Sequence, residues 1–322
     1  MASGRDWARE EPAICVVGAA LIDLISYVPR LPCIGETLHG IDFRMGYGGK
    51  GANQAVMAAK LGARVTMVTG LGRDVFGDGM LDNFASFDID TTYVAVQDDA
   101  RSGVAPIAVA PDGKNAIIIV TGANERIGRD DVERARPAIA AAGVLVCQLE
   151  IPLEITTAAL EIAREESTPT ILNPAPAFAG LPAELYRLAD VLCPNEVQTE
   201  LLLGHPVPAG GEAGAAAELL ACGARAVILT LGERGCLVHT AAESLLVPAE
   251  RVAARDTTGA GDAFVGSLAY FLARGESLSE AAARANRIAA ISVQAPGTQT
   301  SFPAAASLPA ELLAPTSVRG QA

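Results

Sequence analysis

Between Asp130 and Thr230 the chain alternates two periodicities, and that alternation limits its fold more than any other feature. Asp131–Ala141 and Leu153–Glu166 carry apolar residues at helical spacing. Val144–Leu149, Thr170–Leu172, Val191–Cys193 and Val227–Thr230 are short unbroken apolar runs. Such runs fit strands buried on both faces, and strands separated by helices pair in parallel through crossovers. The expected fold class is therefore α/β, a doubly wound, mostly parallel open sheet. Ala13–Val17, ending at Gly18, and Val65–Leu71 supply two more buried strands. The 322 residues, half of them hydrophobic, could build one large domain or two ordinary ones. No repeat or low-complexity linker marks a boundary, so a single domain over residues 1–322 is expected.

Ligands of open parallel sheets bind at the carboxyl ends of the strands, and three such places carry acids or amides. Asp23 follows the first strand. Gln148 and Glu150 end another, although Pro152 nearby also lets Glu150 serve as the cap of the next helix. Asn195-Glu-Val-Gln198 follows a third, where Asn195 and Glu196 could simply begin a helix.

Gly259-Ala-Gly-Asp262 opens a helical pattern with Phe264, Leu268, Phe271 and Leu272 on one face and Gly275 at its stop. Unpaired amides at a helix start, approachable because the glycines lack a Cβ, form an anion site. Asp262 by itself reads as a first-turn acid favoured by the helix dipole. Beside an anion hole it also reads as a base that deprotonates a hydroxyl while the amides hold a phosphoryl group.

A second glycine cluster, Gly46-Tyr-Gly-Gly-Lys-Gly51, formally matches the dinucleotide fingerprint G-x-G-x-x-G, and Asp74 lies roughly where a ribose-binding acid belongs. The preceding strand argues against that reading. Asp42 and Arg44 alternate with Ile41, Phe43 and Met45 over Leu38–Met45, which gives a strand with one wet face rather than two buried ones. Nor is it a Walker A loop, because Gly51 follows Lys50 where Ser or Thr is needed.

Asp256-Thr-Thr-Gly-Ala-Gly-Asp262 and Gly48-Gly-Lys-Gly-Ala-Asn53 resemble the two signatures of the PfkB carbohydrate kinases, the ribokinase-like family. Five further runs sharpen the resemblance toward its ribose-phosphorylating members: Gln148–Glu150, Asn173–Ala177, Pro194–Glu196, Thr230–Gly232 and Gly297–Gln299. The likeness extends from about Ile14 to about Pro303. It implies ATP-dependent phosphorylation of D-ribose, with Asp23, Gly49, Lys50, Asn53 and Glu150 holding the sugar and Asp262 as general base. Gly259, Ala260 and Gly261 would form the anion hole. Asn195, Thr230, Gly232 and Asn286 would face the nucleotide, and Arg234 would lie near its phosphates. Mg²⁺ is implied with the phosphates. A monovalent cation, K⁺, is implied at the backbone of Asp256, Thr258, Val293, Pro296, Gly297 and Ser301. The resemblance also implies a small β lid from about 20–47 and 98–122, in which Gly103–Ala110 and Asn115–Val120 form a hairpin around Pro111-Asp-Gly113. Its apolar face needs a cover, and a homodimer through paired lids supplies one.

Gln198 departs from the family pattern, which places an acid there to organise Mg²⁺. Glu196 and Glu200 are candidates to compensate, although a helix turns each successive residue by about 100°. The net charge of −13 and the absence of a basic stripe argue against a nucleic-acid partner. No apolar run reaches bilayer length, and Met1–Glu11 has no signal-like segment, which points to a cytosolic protein without a membrane partner. Six scattered cysteines and three isolated histidines suggest no disulfide framework or metal cage. A short helix and frayed tail are expected from Leu308 to Ala322.

Overall fold

The computed structural model describes residues 12–314. In chain order its strands are β1 (Ala13–Val17), β2 (Leu21–Tyr27), β3 (Asp42–Gly48), β4 (Arg64–Val68), β5 (Gly70–Gly72), β6 (Ala95–Gln97), β7 (Gly103–Val109), β8 (Asn115–Ile117), β9 (Val144–Cys147), β10 (Thr170–Leu172), β11 (Val191–Leu192), β12 (Ala226–Thr230), β13 (Cys236–Thr240) and β14 (Ser244–Val247). The helices are α1 (Lys50–Lys60), α2 (Val75–Ala85), α3 (Arg129–Arg134), α4 (Arg136–Ala141), α5 (Leu153–Glu165), α6 (Ala183–Leu188), α7 (Glu196–Leu203), α8 (Glu212–Ala221), α9 (Ala260–Ala273), α10 (Leu278–Ser292) and α11 (Ala310–Leu313). Among the described residues no helix is long and apolar enough to cross a membrane.

The large sheet has eight strands in the order β14-β13-β12-β11-β10-β9-β1-β4. It is parallel from β4 through β12, and β13 is reversed, pairing antiparallel with both β12 and β14. Alternation within its strands feeds two apolar layers. Ile14, Val16, Val144 and Val146 pack with α1, α9 and α10, where Phe264, Leu268 and Phe271 are buried. Cys15, Val17, Leu145 and Cys147 pack on the opposite face with Leu160 of α5, Leu185 of α6 and Leu219 of α8. The chain leaves β1 toward β4 on one side and returns through β9 on the other. A crevice therefore opens at the carboxyl ends of β1 and β9, where ligands of such sheets bind.

A second, four-stranded sheet has the order β3-β2-β7-β8. β2 pairs antiparallel with β3 and parallel with β7, and β7 and β8 form the expected hairpin. Several boundaries differ from those expected. The strand expected from Leu38 begins only at Asp42, and its first four residues are exposed on both faces. Val65–Leu71 divides at Thr69 into β4 of the large sheet and β5 of a separate pair with β6. Thr69 is the pivot, its hydroxyl donating to the buried Asn124 side chain. The helix over Asp131–Ala141 breaks at Ala135, because Pro137 has no N–H to continue the ladder. The α11 helix falls within the expected C-terminal segment, while the readings for Met1–Glu11 and for residues beyond Ala314 lie outside the described residues.

Candidate active site

The α1 helix begins in the crevice at Gly49, whose φ of 86° is a conformation only glycine adopts readily. A side chain at Gly49 would also strike the backbone of Ala19–Leu21, so the helix start lies directly against the β1–β2 turn. Its first amides are taken by the protein itself. Lys50 N–H donates to Glu150 Oε2 at 2.7 Å, and Ala52 N–H donates to the Ala19 carbonyl at 3.0 Å. Glu150 is thus anchored to α1 and is not the cap of α5, which starts at Pro152. Asp23 reaches the same place from β2, close enough to Gly48 that any Cβ there would meet its carboxylate.

Acids gather here at unusual density. Burial pushes the Glu150 carboxyl up to about 7 despite the opposing pull of Lys50. Burial, and secondarily the charge of Asp262, push Asp23 up to about 6. Lys50 is held above its ordinary value chiefly by Asp262, with burial opposing and Glu150 adding. One ammonium is therefore shared by an acidic ring suited to accept hydrogen bonds from several hydroxyls.

On the other side of the crevice α9 also starts at a left-handed glycine, Gly259, with φ of 77°. Here Thr298 lies against Gly259, but the helix start is open further along. A Cβ built at Gly261 would meet no atom within 4 Å. Of the expected anion-hole amides, only that of Ala260 has a turn bond, to the Thr257 carbonyl at 3.2 Å. Asp262 lies one residue further along, is 7% exposed, and accepts from Asn53 Nδ2 and Gln54 Nε2, each at 2.9 Å. A cavity of about 430 Å³ spreads from this point, lined by Lys50, Asn195, Thr230, Gly232, Gly259–Asp262 and Asn286. A second cavity of about 810 Å³ adjoins it along Gly232, Ala260, Asn286 and Ala289 and extends past Glu250 and Val252. Asn286 is fixed by donating to the Val247 carbonyl.

Asn195 caps α7, accepting from Gln198 N–H, while the Gln198 side chain accepts from Asn195 N–H. Gln198 closes a capping box, a job that either Gln or Glu performs. Neither candidate substitute acid is unengaged. Glu196 is bound by Arg234 at 2.6 Å, and Glu200 accepts the Val207 amide. Arg234 also grips Glu212, so it ties α7 and α8 to the turn after β12.

No cluster of three metal-ligating side chains occurs among the described residues. Mg²⁺ in this cavity would therefore be held by phosphate oxygens and water, the arrangement it ordinarily prefers. The 256–258 and 293–301 segments are stapled together. Asp256 Oδ2 accepts Gly297 N–H, and the Val293 carbonyl accepts the amides of Arg255 and Asp256. The Pro296 carbonyl accepts from Thr300 Oγ1. Each such carbonyl keeps a second lone pair.

The sequence reading missed Gln54 and Gln299. Both are buried polar residues, and Gln54 interrupts the run Ala52–Ala58 that otherwise reads as core. A polar pair at Asn53 and Gln54 inside that run was the available signal.

Comparison with known proteins shows the family and the fold. The pfkB family carbohydrate kinase model matches residues 11–305. Ribokinase of Mus musculus is 45% identical over 315 residues, covering 96% of this chain and 98% of its own. Deoxyribokinase of Salmonella typhi is 41% identical, covering 90% and 95%. The structure of Arabidopsis thaliana ribokinase complexed with ribose and ATP superposes with a TM-score of 0.86 at 30% identity, covering 95% of this chain and 100% of that one.

Proposed function

The chain belongs to the pfkB family of carbohydrate kinases and is an ATP-dependent sugar kinase, and from that premise we propose that it phosphorylates D-ribose at the 5-hydroxyl to give D-ribose 5-phosphate. One observation carries the mechanism: Asp262 lines the cavity of about 430 Å³ at the start of α9 and is hydrogen-bonded to Asn53 of the glycine-rich sugar motif. Asp23, Glu150, Lys50, Asn53 and the Gly49 backbone hold the sugar. Asp262 takes the proton of the 5-hydroxyl as that oxygen attacks the γ-phosphorus and ADP leaves. The amides at Gly259, Ala260 and Gly261 receive the charge of the transferring phosphoryl group. Mg²⁺, when bound, would neutralise phosphate charge. The carbonyls of Asp256, Thr258, Val293, Pro296, Gly297 and Ser301 would hold K⁺ beside the same helix start. Asn195, Thr230, Gly232 and Asn286 border the nucleotide.

A homodimer through the small sheet is part of the proposal. Ile41, Phe43 and Met45 are 68, 60 and 52% exposed, and Ile118 is 66% exposed. A strip of this kind marks an interaction surface. Phe43→Arg should shift sedimentation from dimer to monomer, and an unchanged dimer would place the contact elsewhere.

A second reading, 2-deoxyribose as the preferred acceptor, is favoured by the Salmonella deoxyribokinase relative. ADP release from MgATP with D-ribose, 2-deoxyribose, fructose and adenosine, each with and without K⁺, separates the readings. Turnover strongest on ribose and raised by K⁺ is expected. Preference for 2-deoxyribose would move the assignment to that sugar, and a lack of turnover on all four would overturn it.

A further inference from the structure

Two chains of side-chain amides converge on Asp262, and the bonds that lead to it run inward, with one branch leading outward from Gln54. On one side Asn83 Nδ2 donates to Gln299 Oε1 at 3.0 Å, Gln299 Nε2 donates to Asn53 Oδ1 at 3.1 Å, and Asn53 Nδ2 donates to Asp262 Oδ2. On the other, Gln148 Nε2 donates to Gln54 Oε1 at 2.7 Å, and Gln54 Nε2 donates to Asp262 Oδ1. Gln54 uses its second N–H on Asn173 Oδ1, and Asn173 in turn donates to the Cys193 carbonyl. The members come from α1, α2, the end of β9, the end of β10 and the 294–302 loop, so the whole fold converges on one carboxylate.

An amide can present either its carbonyl or its NH₂ group, and a carboxylate accepts only. Asp262 therefore takes the NH₂ end of Asn53, and that orientation is locked one residue further out, where Gln299 donates to the Asn53 carbonyl. Gln299 is itself held. Its own orientation is set by Asn83, and its backbone carbonyl is clamped by Lys60 Nζ at 2.6 Å. Bonds in such a directional chain polarise one another.

We propose that Gln299 is a positioning residue for phosphoryl transfer: through Asn53 it keeps an N–H directed at Asp262 Oδ2, while Gln54 serves Oδ1, so that the carboxylate is held oriented with a lone pair left for the sugar hydroxyl. This rests on the reading of Asp262 as the base. Gln299 makes no hydrogen bond to Asp262 and acts only through its neighbour. The donors that fix the two oxygens of Asp262 are both neutral amides.

The test compares Gln299→Leu, Gln299→Glu and Asp262→Asn in the full chain, with steady-state kinetics across pH and thermal melting of each variant. Gln299→Leu should lower kcat about 10-fold or more, with KM for sugar and ATP changed less than about threefold. In Gln299→Glu the introduced carboxyl can donate to Asn53 only while protonated. Its kcat should approach the parent value at acid pH and fall away as pH rises, whereas a merely structural lesion would lower activity by the same factor at every pH. A parental kcat in folded Gln299→Leu, or a parental pH profile in Gln299→Glu, would overturn the proposal. If Asp262→Asn is itself fully active, the base assignment fails. If Asp262→Asn is inactive while both Gln299 variants behave as parent, the base assignment stands and only the positioning role fails.

Discussion

The starts of α1 and α9 are built alike and used differently. Both follow glycine-rich turns, both are entered through a left-handed glycine, neither has a side-chain cap, and the two helices pack against each other. Their second residues, Gly51 and Gly261, are glycines too. Around Gly51 the protein closes in, and a Cβ would lie 2.7 Å from the Gly18 backbone, whereas around Gly261 there is open space. The α1 amides are satisfied by Glu150 and Ala19, while the α9 start faces a cavity. A glycine-rich helix start is thus a socket for negative charge in both places. At α1 the fold supplies the charge from its own chain, and in doing so fixes Glu150 where the sugar is expected. At α9 the start faces a cavity, where the proposed function puts the phosphates of a substrate.

The largest effect that follows from this contrast is at Asp262, which stands between the two sockets. Asp262→Asn should reduce kcat on the order of 10²–10⁴-fold with the fold intact, and parental turnover in a rapid-quench assay would remove the base from the scheme. Next is the open socket. Gly261→Val should lower kcat/KM for ATP on the order of 10²-fold while thermal melting stays at or above the parent value, because a side chain there meets nothing. The matched change at the closed socket should behave in the opposite way. Gly51→Ala forces backbone against backbone and should destabilise by about 1–3 kcal/mol in urea titration, with the nucleotide KM unchanged in the protein that folds. Equal behaviour of the two glycine variants would erase the distinction.

The smallest effect is on pH. The folded values of Glu150 and Asp23, about 7 and about 6, lie above their ordinary values of 4.5 and 3.8. For a group raised on folding, the stabilisation is fully present below the unfolded value and is lost as pH rises through the folded one. The sugar-free protein should therefore lose stability between about pH 4 and 7. Ionised carboxylates accept from sugar hydroxyls, so ribose binding should tighten several-fold over pH 5.5–7.5, as calorimetry can measure. Binding that weakens over that range would mean that these acids bind sugar in their protonated form.

Most of the parallel sheet was legible because buried strands and amphipathic helices differ in period, and β1, β9, β10 and β12 lie close to where the apolar runs predict them. The β13–β14 hairpin was not seen. Its apolar runs, Cys236–Val238 and Leu245–Val247, are three residues each, and Leu245 and Leu246 are exposed on the edge strand. The fingerprint-like glycines at 46–51 were separated from a dinucleotide site by the charges on Asp42 and Arg44, which the structure places on the exposed end of β3. Asp74, the other half of that decoy, caps α2 by accepting from Phe76 and Gly77. What the sequence could not display is the amide network. Asn53 and Asp262 are 209 positions apart and Asn53 and Gln299 are 246 apart, and polarity alone does not tell a core amide bonded to a carboxylate from one facing solvent.

The most direct test of the two-socket distinction is backbone amide exchange at both helix starts, with and without a non-hydrolysable ATP analogue and Mg²⁺. Protection should rise at Gly261 and Asp262 and stay unchanged at Lys50 and Ala52, whose hydrogen bonds exist already. Protection that rises at Lys50 and Ala52, with none gained at Gly261, would place the phosphates at the wrong helix and contradict the assignment.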